Sequence, residues 1–399
     1  MRRITVEERR ARLGCRHRLA PEARAADVVD VARSLVALHA TDPASVFRSA
    51  WARLREPSVA AVEDALYEHR SVVRMLGMRR TMFVVPDETV PVIQAACTDA
   101  IAERERRRLV NEIEGANVAA EGDGNTWLSV AEAAVHDVLA ERGAAFGAEL
   151  SAAVPALQAK FSYAEGKKYG GTQNFASRIL NVLSMQGEIV RGRPRGTWAS
   201  SQYRWAPVEA WLPHGVVELP RDEAQVTLIR QWLAAFGPGT EADIKWWTGL
   251  TLGDVRKALA VIKPVEVDLD GAAGPGLLLD DDVEPEPAPE PWVALLPPLD
   301  ATPMGWTERA WYLGEHKAAL FDRMGNVGPT VWVDGRIVGG WAQRRGGADD
   351  GAIVFRLFDD VGSDAIAAID GEAARLTAFH ADVRTTPRFR TPLERELTA

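Results

Sequence analysis

The chain has little of what builds a metal centre or a covalent scaffold. Its two cysteines, Cys15 and Cys97, give neither a disulfide framework nor a metal-ligand spacing. Its seven histidines are scattered singly, so neither a structural zinc nor any other metal is expected, and no cofactor motif stands out. No apolar run approaches the roughly 20 residues that cross a bilayer. The opening MRRITVEERR leads into no apolar segment of a secretory signal. Together these absences point to a cytoplasmic, metal-free protein with no membrane partner. At 399 residues the chain exceeds a single compact core.

A net charge of −9 argues at first against nucleic acid, but its distribution reverses that impression. Nine acids and no Lys or Arg lie between Pro264 and Trp292, and without them the acids equal the 47 bases. Lys160 to Arg204 carries eight bases against Glu165 and Glu188. Such a basic face on a mildly acidic protein suits a polyanion, because the local field matters more than the total.

What is present is a repeated plan. Residues 1–118 read as helices, with Val28 to Val36 at helical spacing and Val59 to Tyr67 behind the cap candidate Ser58. The apolar run Met78 to Glu88 then reads as a strand before a helix near Pro86. Arg104 to Arg108 lies in a helix, as a solvated face or a DNA-facing edge. Residues 119–215 repeat the order more cleanly. A helix opens at Ser129 with Glu132 three residues on, a capping-box spacing; FGAELSAAVPAL and a helix broken at Gly187 follow. A hairpin comes next, with an arginine-bearing tip from Arg191 to Ser201. Residues 216–279 show the order again, with Thr240 and Thr251 as caps and a turn at Gly271. Helix, helix, hairpin three times over suggests tandem winged helices. An acidic, Pro-rich linker or loop (280–292) leads to a β-rich module (293–399). There Asp334-Gly335 is a strong hairpin turn, and a closing helix is followed by an extended tail.

The stretches LVALHATDP, WARL, RRTMFVVP, WWTGLTLGDVRKAL, LLPPLDATPMGW and above all NVGPTVWVDGRIVGGW resemble one bacterial family. It is the family of winged-helix DNA-binding-domain proteins that includes the AlkZ/YcaQ-type DNA glycosylases, and the resemblance spans about residues 5–396. It implies an α+β fold of three tandem winged-helix units and a C-terminal β-rich module around a concave, basic channel for double-stranded DNA. It also implies excision of bulky N7-alkylated or crosslinked purines without a metal or cofactor. The family's Gln-x-Gln or Gln-x-Asp motif falls here on His39-Ala40-Thr41, a departure at both positions.

On that reading His39 and Thr41 are the catalytic candidates. An N7-alkylated purine leaves as a neutral base, so the enzyme needs a positioned water more than an acid. A neutral His39 could take the water's proton and Thr41 could hold it. Their i, i+2 spacing brings them together only in extended or turn backbone, which Asp42 before Pro43 favours. A His at a helix end is equally a capping or core-edge residue. Arg79, Arg80 and Thr81 stand where the family has an Arg-Gly-Thr-like turn. They contact phosphate, or else pair with Asp64 or Glu63. Lys167, Lys168, Arg191, Arg193, Arg195 and Arg336 are further DNA-binding candidates, with Arg344-Arg345 beside the last hairpin. Asp42, Asp300 and Trp306 are pocket candidates, while Trp246, Trp247 and Trp311 read as core. The expectation is a monomeric, monofunctional glycosylase of damaged duplex DNA in the nucleoid, possessing a link to genotoxin self-resistance. A non-catalytic lesion binder or regulator is the alternative, and a protein-binding module a weaker third.

Overall fold

A computed structural model describes residues 1–163, 170–387 and 389–398. It is an α+β fold in which small antiparallel sheets are braced by helices. Three three-stranded sheets recur. In the first, Leu38–His39 pairs with Thr81–Pro86, which pairs with Val72–Gly77. In the second, Ala145–Phe146 pairs with Tyr203–Pro207, which pairs with Ile189–Pro194. The third breaks the pattern: Val265–Leu269 pairs with Gly276–Leu278, but its other neighbour is Arg3–Ile4, in parallel, from the N-terminus. The C-terminal module is a four-stranded antiparallel sheet in chain order, Val293–Leu296, Thr330–Val333, Arg336–Gln343 and Ile353–Leu357, backed by the helix Ser363–His380.

Local signals set most element ends. Ser58 accepts from the Ala61 N–H and Thr251 from the Asp254 N–H, while Thr240 and Asp243 cap each other reciprocally. Asp334 and Gly335 take φ of 45° and 80°, the two-residue turn their sequence suggested. Elsewhere tertiary contacts overrule the local reading. The helix expected to open at Ser129 runs Gly124–Arg142. Ser129 and Glu132 instead receive Arg106, at 3.1 and 2.5 Å. Arg107 and Arg108 likewise pair with Glu103 and Glu112, so this basic run is largely spent on its own surroundings. The tail expected to be extended forms the helix Pro392–Leu397, capped by Thr391. The acidic run is fastened too: Asp282 holds Arg12 at 2.9 Å and Arg16 at 2.5 Å.

Apolar burial is divided in an informative way. Residues between Leu109 and Trp205 form a core of their own, whereas the first and third helical regions share one continuous core with the C-terminal module. The tip of the second hairpin crosses between the two. Trp198 leaves its own region and packs on Phe47 at 5.0 Å and Phe379 at 6.0 Å. That loop is therefore an anchored strap, and burying an indole there is worth several kcal/mol, on the order of 3 to 5.

Candidate nucleic-acid interface

The stretch LVALHATDP does not end as a helix. After Ser34 the chain turns into the edge strand Leu38–His39, and the Ala40 N–H continues the ladder to the Met82 carbonyl at 2.8 Å. Asp42 then caps the helix Pro43–Trp51 by accepting from the Ala44 N–H at 3.1 Å. His39 and Thr41 flank this last rung, and the structure puts them in different surroundings.

Thr41 faces an open cleft of about 930 Å³ between the motif strand and the second helical region. The helix Ala176–Met185 and the hairpin strands supply its far wall, including Asn181, Arg191, Arg195 and Tyr203. No carboxylate stands among the described residues that line it. Arg191 is half-buried, donates to Asn181 Oδ1 at 2.8 Å and lies 5.1 Å from the Trp205 ring centre. Arg195 is exposed and lies over Phe146 at 4.2 Å. A cationic, acid-free groove of this kind suits a polyanion.

His39 is only 6% exposed and meets Phe83 edge-on, with ring centres 5.4 Å apart. Burial, reinforced by the Arg79 charge, pushes its pKa down to about 3, so the imidazole is neutral at neutral pH. Its Nδ1 accepts weakly from the Thr41 N–H at 3.5 Å. That contact favours the tautomer with the proton on Nε2, which donates and does not accept. Asp42 is largely buried, which raises its pKa against the opposing charges of Arg48 and Arg74.

The remaining candidates divide. Arg79 lies over Trp246 at 4.1 Å. Arg80 adopts φ 60°, the left-handed conformation that glycine takes at no cost, and pairs with Glu105 at 2.7 Å. The expected pairing of this turn with Glu63 or Asp64 is thus replaced. Glu63 holds Arg193 and Asp64 holds His69. Thr81 opens the hairpin strand and bonds back to the Arg79 carbonyl at 3.4 Å. Arg193 is exposed, but Glu63 and Glu68 take its guanidinium at 2.7 and 2.8 Å. Lys167 and Lys168 lie outside the described residues. Arg336 is exposed but stands beside Arg10, and the strand it opens is otherwise buried. Arg344 pairs with Asp349 at 3.3 Å.

Asp300 and Trp306 are core, not pocket. Asp300 is 0% exposed and forms a two-pronged ion pair with Arg53, at 2.7 and 2.9 Å. Trp306 is stacked on His17 at 5.8 Å and donates to the Phe236 carbonyl. Sequence reasoning missed Asn181, Ser177 and Tyr203 on the cleft wall. Ser177 and Asn181 stand four apart, on one face of their helix, so the polar pair was readable, but nothing showed what that face met.

Comparison with known proteins decides the family. The family model described as DNA glycosylase AlkZ-like matches residues 32–379. The chain belongs to the AlkZ-like DNA glycosylases. An interstrand DNA cross-link repair glycosylase of Streptomyces sahachiroi is 28% identical over 215 residues, covering 50% of this chain and about half, 53%, of that relative. The solved structure of Streptomyces sahachiroi DNA glycosylase AlkZ superposes with a TM-score of 0.70 at 19% identity, over 96% of this chain and 99% of that one. The likeness to AlkZ at this identity is one of fold. In this AlkZ-like chain the segment His39-Ala40-Thr41 carries a cleft-facing hydroxyl and a neutral, enclosed imidazole. Among the described residues no helix is long and apolar enough to cross a membrane, and no group of three potential metal ligands gathers.

Proposed function

We propose that the protein is a monofunctional DNA glycosylase that hydrolyses the N-glycosyl bond of bulky N7-alkylated purines in double-stranded DNA. It works as a monomer on the nucleoid, and the cross-link repair named for its Streptomyces relative extends the proposal to crosslinked purines and to self-resistance. The observation that carries this reading is the acid-free cleft, with Arg191 and Arg195 on one wall and Thr41 on the other.

The chemistry asks little of acids. An N7-alkylpurine already bears positive charge, so the C1′–N9 bond breaks with the electron pair going to a neutral leaving base. Water oxygen bonds to C1′, and its proton passes to solvent. Thr41 Oγ1 holds that water. His39 acts as a positioning residue, its Nδ1 tying down the Thr41 backbone. Because its imidazole stays neutral, it adds no positive charge beside an oxocarbenium-like sugar. Asp42, next in the chain, caps the helix Pro43–Trp51 and so fixes where Thr41 stands. Arg191, Arg195 and Arg79 hold phosphates and contribute affinity without sequence information.

The test is a duplex carrying a bulky N7-alkylguanine, incubated with protein and then cleaved at abasic sites with mild base. Wild type should cut. Thr41→Val should lose cutting at unchanged duplex affinity, and His39→Ala should cut more slowly. The second reading, a non-catalytic lesion binder, draws on the engaged Nδ1 and enclosure of His39. Salt-sensitive binding by wild type without any strand cleavage would establish it and end the enzyme reading.

A further inference from the structure

Arg79 and Arg309 come from distant parts of the chain to one indole. Their guanidinium carbons lie 4.1 and 4.8 Å from the ring centre of Trp246. Neither makes an ion pair among the described residues, although the adjacent Arg80 is paired with Glu105. Arg309 Nε donates to the Trp306 carbonyl at 2.8 Å, a contact that orients the fork and leaves its charge uncompensated. Burial, and then the charge of Arg309, pushes the Arg79 pKa down to about 10.

The backbone is committed to the same end. Arg79 and Arg80 have φ of 53° and 60°, a left-handed pair that costs roughly 1–2 kcal/mol per residue. The turn seats on Gly249, itself at φ 73°, where a Cβ would come within 3.1 Å of Arg79 Cγ. The third helical region is thus shaped to receive this turn closely. The two like charges sharing one ring repel each other, on a turn whose backbone is itself strained. They become favourable when an anion with several acceptor oxygens bridges the two forks. The position is also significant, since Arg79 is the cation whose charge acts most on the His39 imidazole.

We propose that Arg79 and Arg309, braced on Trp246, clamp a backbone phosphodiester of the DNA strand beside the His39–Thr41 segment. This rests on the reading that the chain handles duplex DNA. Guanidinium forks fit phosphate oxygens two at a time, and the contact carries no base preference.

Undamaged duplex with a fluorescent label serves as the probe, read by anisotropy over a salt series. Arg309→Gln and Arg79→Gln should each weaken binding by roughly tenfold near about 0.1 M salt and lower the salt slope by about one. The thermal midpoint of Arg309→Gln should stay level or rise, because a repulsion has been removed. Wild-type affinity and slope in both variants would overturn the clamp, as would losses that only track a lower midpoint. Inorganic phosphate supplies the competing source. If it stabilises wild type but not Arg309→Gln while duplex binding is equal in both, the site takes free phosphate and the proposal falls. Failure of wild type itself to bind duplex at low salt would instead remove the proposed function.

Discussion

Replacing Asp300 by Asn should strongly destabilise the main core without touching the cleft. Asp300 and Arg53 are both fully buried, and their network is complete. Arg53 Nε donates to the His17 carbonyl, Nη1 to the Ser49 carbonyl and Asp300 Oδ2, and Nη2 to Asp300 Oδ1 and Thr302 Oγ1, all between 2.7 and 2.9 Å. Every donor of the guanidinium is thereby used. Asp300 also accepts from the Ser49 hydroxyl and the Thr302 N–H. In Asp300→Asn the amide NH2 must face either Arg53 and Ser49 or Arg53 and Thr302, so donor meets donor and a buried guanidinium loses its counter-charge. Breaking such a pair from one side costs about 3–5 kcal/mol, against a total stability of about 5–15 kcal/mol. Urea unfolding followed by tryptophan fluorescence measures it. Because the second helical region has its own core, the transition to follow is the one that Trp306, stacked near this network, reports. The double change Arg53→Met with Asp300→Leu should recover part of the loss, since removing both charges removes the unpaired one. An Asp300→Asn midpoint within about 1 kcal/mol of wild type would refute the reasoning.

Two further outcomes follow from the same structure. Trp198→Ala should lower stability by about 3–5 kcal/mol and weaken duplex binding, because the loop that carries Arg195 loses its anchor on Phe47 and Phe379; an unchanged melting curve would mean the strap is free. Stability should also fall as pH drops below about 6.5. His17, His39 and His380 are pushed from 6.5 to about 3, 3 and 2, so between those values the unfolded chain takes up protons that the fold excludes. Glu394, raised from 4.5 to about 7, works in the opposite sense over the upper part of that window, as one group against three. Urea midpoints from pH 7 to 4 check this, and His39→Gln should flatten the slope; a midpoint that rises on acidification would contradict it.

The site was legible in part. The backbone of the candidate segment was readable: the pre-proline Asp42 correctly signalled a segment that leaves the helix, since Leu38–His39 is extended. The split between Thr41 on the cleft and His39 behind it was not readable. Strand alternation would put residues two apart on one face, but the strand ends at His39, and what Thr41 then meets depends on the second helical region, more than a hundred residues onward. The partners of Arg193 were hidden for a related reason. Arg193 looked free because its own hairpin offers no acid; Glu63 and Glu68 approach from the first helical region.

By itself, then, the sequence determined what local forces settle: helix caps at Ser58, Thr240 and Thr251, the Asp334–Gly335 turn, the repeated helix and hairpin order, and the acid-poor stretch that became the cleft wall. Capping bonds and backbone preferences act within three or four residues, so they can be read in order along the chain. Only the tertiary structure decided which charges are spent on each other, that Trp198 is an anchor, that Asp300 is a core ion pair, and that Arg79 shares Trp246 with Arg309. Those outcomes depend on desolvation and on partners brought together across the whole chain.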